Sequence, residues 1–187
     1  LQEMSARELA EYARSGNTLE ASIGVAAINS LIEPDESKAV VLNAVEKLIE
    51  HGRGKNVALV GHFPFIPRLR SEVGQLWVLE QRQVEGDFPA EAAGDLIPQA
   101  DVVAITSTAL INRTLEGLLR LCPPQALVMM LGPSTPLTPV LFEHGVDFLS
   151  GSRVVDESAV IRTVSQGASF QQVEGVRLLT FQKEGFS

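Results

Sequence analysis

A histidine directly follows a predicted buried strand, at a position where a dinucleotide-binding fold would continue a glycine-rich loop. The stretch VALVGHFPF, residues 57–65, runs from apolar residues into Gly61 and then supplies His62. An imidazole there can contact a ligand, coordinate a metal ion or bond to local backbone. Metal coordination ranks third, because His51 and His144 fall at predicted helix C-termini, where contact with the helix dipole accounts for them.

The residues around His62 favour an apolar wall over a cradle for pyrophosphate. Gly61 permits close approach of a ligand to the backbone, and Pro64 is suited to open the next helix. Phe63 indicates an apolar or stacking surface, while the missing three-glycine fingerprint disfavours a flat pyrophosphate. Glu80 ends the next apolar run, where a Rossmann carboxylate often binds ribose hydroxyls, although a solvated strand end explains it equally well.

Hydroxyl-bearing and turn-forming residues lie at the ends of two later apolar runs. They are Thr106 and Ser107 at the first end, with Asn112 on the following helix, and Gly132, Pro133 and Ser134 at the second end. Such hydroxyls either N-cap the following helix or line a crevice. In an open parallel sheet the ligand crevice borders the carboxyl ends of the strands. The sequence therefore predicts a pocket along that edge.

The elements that would position these residues predict an α/β fold with a doubly wound, mostly parallel, Rossmann-like sheet. Short apolar runs alternate with helical segments after residue 56, at residues 56–61, 76–80, 101–107, 126–132, 146–151 and 176–181. The first five runs are nearly continuous in apolar residues, as strands covered on both faces require. Among the connecting helices, one continuous helix is predicted over residues 109–122 and another over residues 136–145.

Three helices are predicted before the first strand. The first begins at a capping box on Ser5, and the second covers residues 18–32. The third is expected to be capped near Asp35 or Ser37 and to pack through Val41. Because the chain starts directly in a helix without an initiator methionine, we expect a native N-terminal portion to precede it.

Composition narrows the classes of partner. The 187 residues carry a net charge of −8 and no cluster of Lys or Arg, so a phosphate backbone would be repelled and nucleic acid is not expected. No apolar run approaches the roughly 20 residues of a membrane span, so no membrane partner is expected. Cys122 is the single cysteine, which excludes an internal disulfide, and a cytoplasmic location is expected. We interpret Cys122 as a small core residue.

Several blocks in register resemble the DUF364 family, for which a role in heavy-metal chelation has been proposed. They are NTLEASIGVAAINSL, GHFPF, GDFPAEAAGDLIPQADVVAITSTALINRT and LGPSTPLTPVLFEHGVDFLSGSRVVD. The resemblance implies a Rossmann-like domain over residues 34–187. It also implies that residues 1–33 are the helical tail of a smaller domain that resembles the N-terminal domain of enolase. The implied site lies in the cleft between them, with matching polar positions at Asn17, Glu20, Asn29, His62, Glu80, Asp87, Thr106, Asn112 and Ser134.

These observations predict that the chain binds a small molecule, a heavy metal ion or a metal chelate at the carboxyl edge of the sheet, facing the N-terminal segment. His62 and Asp87 are the candidate metal ligands, yet scattered carboxylates, one histidine and one cysteine offer few donors. A chelate would need fewer donors from the protein, because the organic ligand itself would coordinate the metal.

The alternative is an enzyme that uses an adenosine-bearing cofactor such as S-adenosylmethionine or NAD, motivated by Gly61 and Glu80. His62, Asp87 or Glu20 could act as a general acid or base, but no nucleophile, base and orienting group can be assigned together. A regulatory protein without catalysis is a third hypothesis. The sequence leaves open the ligand, any reaction and the oligomeric state, a homo-oligomer included.

Overall fold

A computed structural model describes residues 1, 3–40 and 44–185, and within these residues the chain forms one seven-stranded sheet. The strands are β1 (Asn56–Val60), β2 (Gln75–Glu80), β3 (Phe88–Pro89), β4 (Val102–Thr106), β5 (Leu127–Leu131), β6 (Phe148–Val154) and β7 (Val176–Gln182). Their order is β3-β2-β1-β4-β5-β6-β7, with β7 antiparallel to β6 and the other neighbours parallel. This mostly parallel α/β sheet has the Rossmann strand order, which reverses between β1 and β4.

Nine α-helices accompany the sheet within the described residues. They are α1 (Ala6–Ala10), α2 (Thr18–Leu31), α3 (Ala44–Gly52), α4 (Ile66–Glu72), α5 (Ala93–Leu96), α6 (Thr108–Ile111), α7 (Leu115–Leu121), α8 (Val140–Glu143) and α9 (Glu157–Ser165). None of the helices in this described part of the chain combines the length and the apolar character that a bilayer crossing requires.

The strands alternate between two separate cores. Val57 and Leu59 of β1 pack with Leu48 of α3 and Leu69 of α4, on what we call the α3/α4 face. Ala58, between them, packs on the opposite side with residues of α5 to α8, which we call the α5–α8 face. The same alternation runs through β2, β4 and β5. Both faces are apolar because side chains of successive strand residues point to opposite sides of a covered sheet.

The predicted helix over residues 109–122 is interrupted in the structure. Helix α6 ends at Ile111 and α7 begins at Leu115, with Arg113 between them at a φ of 60°. The Asn112 Oδ1 atom accepts hydrogen bonds from the Thr114 backbone N–H at 3.2 Å and from the Thr114 hydroxyl at 2.6 Å. A short amide side chain that bonds to nearby backbone competes with helix continuation, which explains the break.

Two other predicted elements differ in extent. The helix predicted over residues 136–145 is only α8, which begins immediately after Pro139, because proline has no N–H for a helical bond and is suited to a helix start. The connection after β2 contains the short strand β3, which no apolar run indicated.

The N-terminal predictions are confirmed at the first helix and revised at the third. The capping box between Ser5 and Glu8 opens α1. Asp35 caps only a short 3-10 turn over Glu36–Lys38, and α3 begins at Ala44. The predicted contact through Val41 lies outside the described residues.

Candidate functional site

A cavity of about 160 Å³ opens at the point where the strand order reverses. Strand-end residues around it are Val60 and Gly61 of the β1 edge, Leu79, Glu80 and Gln81 of the β2 edge, and Thr106 of β4. Helical and loop residues complete it with Ala90, Ala93, Thr108, Ala109, Asn112, Thr114 and Leu118. Since Leu79, Ala93, Ala109 and Leu118 belong to the core of the α5–α8 face, the floor of the cavity is apolar.

Gly61 borders the cavity directly after β1, at a position where a side chain would not fit. Its φ is 103°, and a Cβ atom built on it would lie 2.9 Å from Thr106 Cβ and 3.3 Å from Phe63 Cε2. A side chain would therefore meet both an unfavourable backbone conformation and the neighbouring strand. The glycine permits β1 and β4 to approach each other closely at the cavity edge.

The polar groups of the cavity come mainly from the end of β4 and the loop between α6 and α7. The hydroxyl oxygens of Thr106 and Thr108 lie 3.0 Å apart. Asn112 uses its Oδ1 atom for Thr114, while its Nδ2 hydrogens have no acceptor within residues 1, 3–40 and 44–185. The cavity therefore offers one amide donor and two hydroxyl groups to a ligand.

The carboxylate of Glu80 is largely occupied by the backbone. It accepts hydrogen bonds from the N–H groups of His62 at 3.0 Å, Gln81 at 2.7 Å and Arg82 at 3.1 Å. These bonds hold the loop after β1 beside the end of β2. A carboxylate with three of its acceptor positions filled has little capacity left for the two hydroxyls of a ribose.

His62 forms a pair with a buried carboxylate beside this network. Its Nδ1 atom lies 3.0 Å from Asp87 Oδ2, and Asp87 Oδ2 also accepts from the Val84 N–H at 3.2 Å. The Asp87 side chain is 1% exposed, whereas the His62 side chain is 42% exposed. With Nδ1 bonded to Asp87, Nε2 is the ring nitrogen that remains for another partner.

Phe63 and Pro64 do not line the cavity. The Phe63 ring stacks on Phe65 with centroids 5.0 Å apart, and both pack against the core of the α3/α4 face, on the other side of the sheet. Pro64 lies in the turn before α4 and does not open that helix as predicted, since Pro67 takes the early helical position instead. The apolar floor is formed by small and branched aliphatic residues instead of phenylalanine.

Ser107 and Ser134 form a second cluster, next to the cavity but separate from it. Their hydroxyl oxygens lie 2.9 Å apart, and Asn29 Nδ2 donates to the Ser134 carbonyl at 2.9 Å. Gly132 has a φ of 128°, and a Cβ atom on it would lie 2.5 Å from Ser107 Oγ. The Pro133 carbonyl accepts from the Ser152 hydroxyl at 2.9 Å. These contacts join α2 to the ends of β4 and β5.

Asn17 and Glu20 support the start of α2. Asn17 Oδ1 accepts from the Leu19 N–H at 2.9 Å and from the Glu20 N–H at 3.4 Å. Glu20 Oε2 accepts from the Ser15 hydroxyl. The N-terminal segment approaches the cavity only indirectly, since a Cβ atom on Gly16 would lie 3.5 Å from Arg113 Nη2, beside Asn112.

Of the predicted site residues, Gly61, Glu80, Thr106 and Asn112 line the cavity. His62 and Asp87 form the adjacent pair, and the others serve the second cluster, the start of α2 or the packing of α4. Sequence reasoning did not single out Gln81, Ala93 or Leu118. The position of Gln81 directly after a strand could have indicated it, as for Gly61. Ala93 and Leu118 carry no such signal, because only helix packing brings them to the floor.

The donor set in the described ranges does not form a complete metal site. No group of three or more His, Cys, Asp or Glu side chains comes together in residues 1, 3–40 and 44–185. His62 and Asp87 supply two such groups, of which Asp87 is already bonded to His62. A protein site for zinc normally supplies three or four ligands, so these residues do not fit a bare ion held by protein alone.

The thiol of Cys122 is expected to react slowly with alkylating reagents. Burial, with a smaller contribution from Asp147, raises its pKa to about 11, and Sγ lies 3.4 Å from the Leu118 carbonyl that it donates to. Since the thiolate is the nucleophile, the rate with iodoacetamide should rise about tenfold per pH unit between pH 8 and pH 10. Alkylation followed by mass spectrometry, with the urea-unfolded chain as control, measures this. Equal rates for folded and unfolded chains at pH 8 would contradict the prediction.

A larger groove of about 760 Å³ lies elsewhere, between the residues that follow α2 and the α8 side of the sheet. Its strand residues, Leu149, Phe181 and Gln182, lie at the amino end of β6 and the carboxyl end of antiparallel β7. The groove thus lies away from the carboxyl ends of the parallel strands, where ligands of such sheets bind. We therefore consider the smaller cavity the candidate functional site.

Two family models match the chain. Residues 43–182 match DUF364, described as "Putative heavy-metal chelation", and residues 1–32 match DUF4213, which carries the same description. An uncharacterized protein of Methanocaldococcus jannaschii is 28% identical over 156 residues, which are 80% of this chain and 60% of that protein. The chain thus spans about three fifths of the length of this curated relative.

Two crystal structures of DUF364 proteins of unknown function are similar to the chain. The protein from Desulfitobacterium hafniense is 34% identical with a TM-score of 0.83, over 95% of this chain and 74% of that one. The protein from Pyrococcus horikoshii has the same TM-score at 22% identity, over 98% of this chain and 77% of that one, and supports the fold. Because the family model covers more than half of the chain and a 34% identical member shares its fold, this chain belongs to the DUF364 family.

Proposed function

We propose that this chain binds a small organic metal chelate in the cavity at the carboxyl ends of β1, β2 and β4. The observation that carries the proposal is the position of the cavity, at the reversal of strand order, together with polar groups that the fold leaves available there. The family description, heavy-metal chelation, supplies the class of ligand. In this proposal residues 1–33 end a smaller domain, whose helix α2 contacts the second cluster beside the cavity through Asn29.

A chelate fits the described donors better than a bare ion does. An ion would need several protein ligands at one point, and the described residues bring no such group together. A chelator supplies most of the donors itself, so the protein needs to recognise only its organic part. The apolar floor can pack against a ring, and Asn112 and Thr106 can donate to carbonyl or carboxylate oxygens.

The volume and charge of the protein restrict the ligand further. A cavity of about 160 Å³ is comparable to an engineered cavity of about 150 Å³ that binds benzene, so it admits one ring, with the rest of the ligand in solvent. The chain has a net charge of −8, which disfavours a free polyanionic chelator. A bound metal ion neutralises carboxylates of the chelator, so the loaded chelate should bind more tightly than the metal-free compound.

The alternative, an enzyme with an adenosine-bearing cofactor, is favoured by one observation. The strand order and Gly61 at the end of β1 are those of a nucleotide-binding sheet. Two observations oppose it, since Glu80 is occupied by three backbone donors and the cavity is small for a nucleoside with phosphates. The alternative requires that S-adenosylmethionine or NAD stabilise the protein against heat. A ligand at 100 times its Kd raises the free energy of unfolding by about 2.7 kcal/mol.

Filling the cavity is expected to weaken binding of a single-ring chelate. We expect the wild type to bind the Cu(II) or Ni(II) complex of picolinate, and Ala109→Leu to weaken binding at least tenfold because the added side chain occupies the floor. Asn112→Ala should weaken binding about fivefold, the effect of one lost hydrogen bond of about 1 kcal/mol. Isothermal titration calorimetry with the complex, the free metal and free picolinate measures these affinities.

Two controls make this titration decisive. Ala26→Leu adds the same side chain at an exposed position of α2 and should leave binding unchanged. Because Asn112 is exposed, its truncation tests the cavity even if Ala109→Leu lowers stability. Equal binding by the wild type and both cavity variants would contradict the proposal, as would binding of the free metal with no preference for the complex.

A further inference from the structure

The His62–Asp87 pair is held by hydrogen bonds on both of its members. The Asp87 side chain is 1% exposed and accepts hydrogen bonds from His62 Nδ1 and from the Val84 N–H. The backbone N–H of His62 is separately fixed by Glu80. Burying a carboxylate costs free energy unless the carboxylate is hydrogen-bonded. The bonds of Asp87 to His62 and to Val84 meet this need, and the first of them orients the imidazole.

The orientation leaves one nitrogen of the ring available. Asp87 accepts from Nδ1–H, so the neutral ring carries its lone pair on Nε2. In the part of the chain that the structure describes, no protein group bonds to Nε2, and the side chain is 42% exposed. A carboxylate that binds the far nitrogen of a histidine is the arrangement that fixes metal-binding histidines and makes them stronger ligands.

The pair stands at the rim of the candidate cavity. His62 directly follows Gly61, and its backbone is bonded to Glu80, and both of these neighbours line the cavity. Neither His62 nor Asp87 lines the cavity itself, so the pair would meet only a part of a ligand that extends out of the cavity.

We infer that His62 Nε2 supplies the single protein donor to the metal of a bound chelate, and that Asp87 positions it. The inference rests on the proposed function and specifies the ligand as a chelate with at least one open coordination position. Imidazole suits Cu(II), Ni(II) and Zn(II), whereas Mg(II) and Ca(II) prefer oxygen donors, so the former ions are the expected class. A single donor also agrees with the absence, in the described ranges, of a three-ligand group.

The test uses Cu(II)–iminodiacetate, in which the chelator leaves positions of the metal open. The variant His144→Gln serves as the parent, because His144 is exposed and would bind the probe as an ordinary surface imidazole. We expect the parent to bind one equivalent and to show superhyperfine coupling to one imidazole nitrogen in the electron paramagnetic resonance spectrum. His62→Ala in that background should lose both the coupling and the tight site.

Asp87→Asn tests the positioning role. Loss of the carboxylate partner of a metal-binding histidine typically lowers affinity about 10- to 100-fold, and we expect a change of that size while the nitrogen coupling persists. Glu85→Gln is the matched control, since it removes the same charge from an exposed position in the same loop. It should change the affinity less than twofold.

Nitrogen superhyperfine coupling that survives in His62→Ala would overturn the inference. Equal losses of affinity in Asp87→Asn and Glu85→Gln would also overturn it. Failure of the proposed function gives a different result. Picolinate complexes that bind His62→Ala normally but are lost in Ala109→Leu leave the cavity as the site and remove His62 as a donor. Binding of the picolinate complex that is lost in His62→Ala but unaffected by Ala109→Leu supports His62 as the donor and removes the cavity.

Discussion

Replacing Gly24 with alanine is expected to lower the free energy of unfolding by about 2 kcal/mol, as overpacking does, although alanine favours helices by about 1 kcal/mol. Gly24 lies in α2 where the segment after α1 crosses it. A Cβ atom at this position would overlap Ala13 N and lie 2.5 Å from Tyr12 C. Both are backbone atoms that cannot move aside by rotating a side chain. The two N-terminal helical segments must therefore separate.

Gly117→Ala is the matched control for this prediction. Gly117 also lies within a helix, α7, but a Cβ atom there meets nothing within 4 Å. This substitution should raise stability by about 0.5–1 kcal/mol through helix propensity alone. Urea denaturation of both variants measures the two changes. Changes of the same sign would contradict the close crossing of α2 by the segment after α1.

Replacing Gly132 with alanine is expected to cost about 2–3 kcal/mol of stability, the combined effect of backbone strain and a steric contact. The residue follows β5 with a φ of 128°, and its Cβ atom would lie 2.5 Å from Ser107 Oγ. The Ser107 hydroxyl is held against the Ser134 hydroxyl at 2.9 Å in a position that is 1% exposed. The new methyl group therefore has to break this hydrogen bond or displace the end of β5.

A double-mutant cycle separates the two causes in Gly132→Ala. Ser107→Ala alone should cost about 1 kcal/mol for its lost hydrogen bond. In the double variant the steric contact disappears while the backbone strain remains. Its loss of stability should therefore be about 1 kcal/mol smaller than the sum of the losses in the two single variants. Thermal or urea denaturation of the four proteins gives the coupling energy. Strict additivity would contradict the contact between Gly132 and Ser107.

Much of the sheet could be predicted from local patterns, and the exceptions have identifiable causes. The apolar runs that contain Val57 and Val103 are long enough to indicate strands covered on both faces, and the structure confirms them. The run over residues 109–122 predicts one helix, yet Asn112 bonds to Thr114 and breaks it. Strand β3 has two residues and pairs only with β2, so no periodicity could indicate it.

The candidate site could be predicted only in part. Glu80 and Thr106 are the last residues of their strands, and Gly61 directly follows β1. Parallel strands bring such residues to one edge of the sheet. The bond between His62 and Asp87 joins residues 25 apart in the chain, and no spacing rule indicates it. Phe63 was predicted to form an apolar wall of the site. In the structure its ring lies on the α3/α4 face of the sheet, where it packs with Phe65.

The sequence by itself determined the type of sheet and the edge at which the candidate site lies. Both depend on the order of apolar runs and on residues that directly follow them, which are short-range properties of the chain. The tertiary structure decided which of those residues share a cavity and which lone pairs remain for a ligand. The Glu80 carboxylate accepts from three backbone N–H groups, while Asp87 bonds to His62 Nδ1 and no group in the described ranges bonds to Nε2. Hydrogen-bond partners and burial arise between segments distant in sequence, so only the folded chain settles what each polar group can still bind.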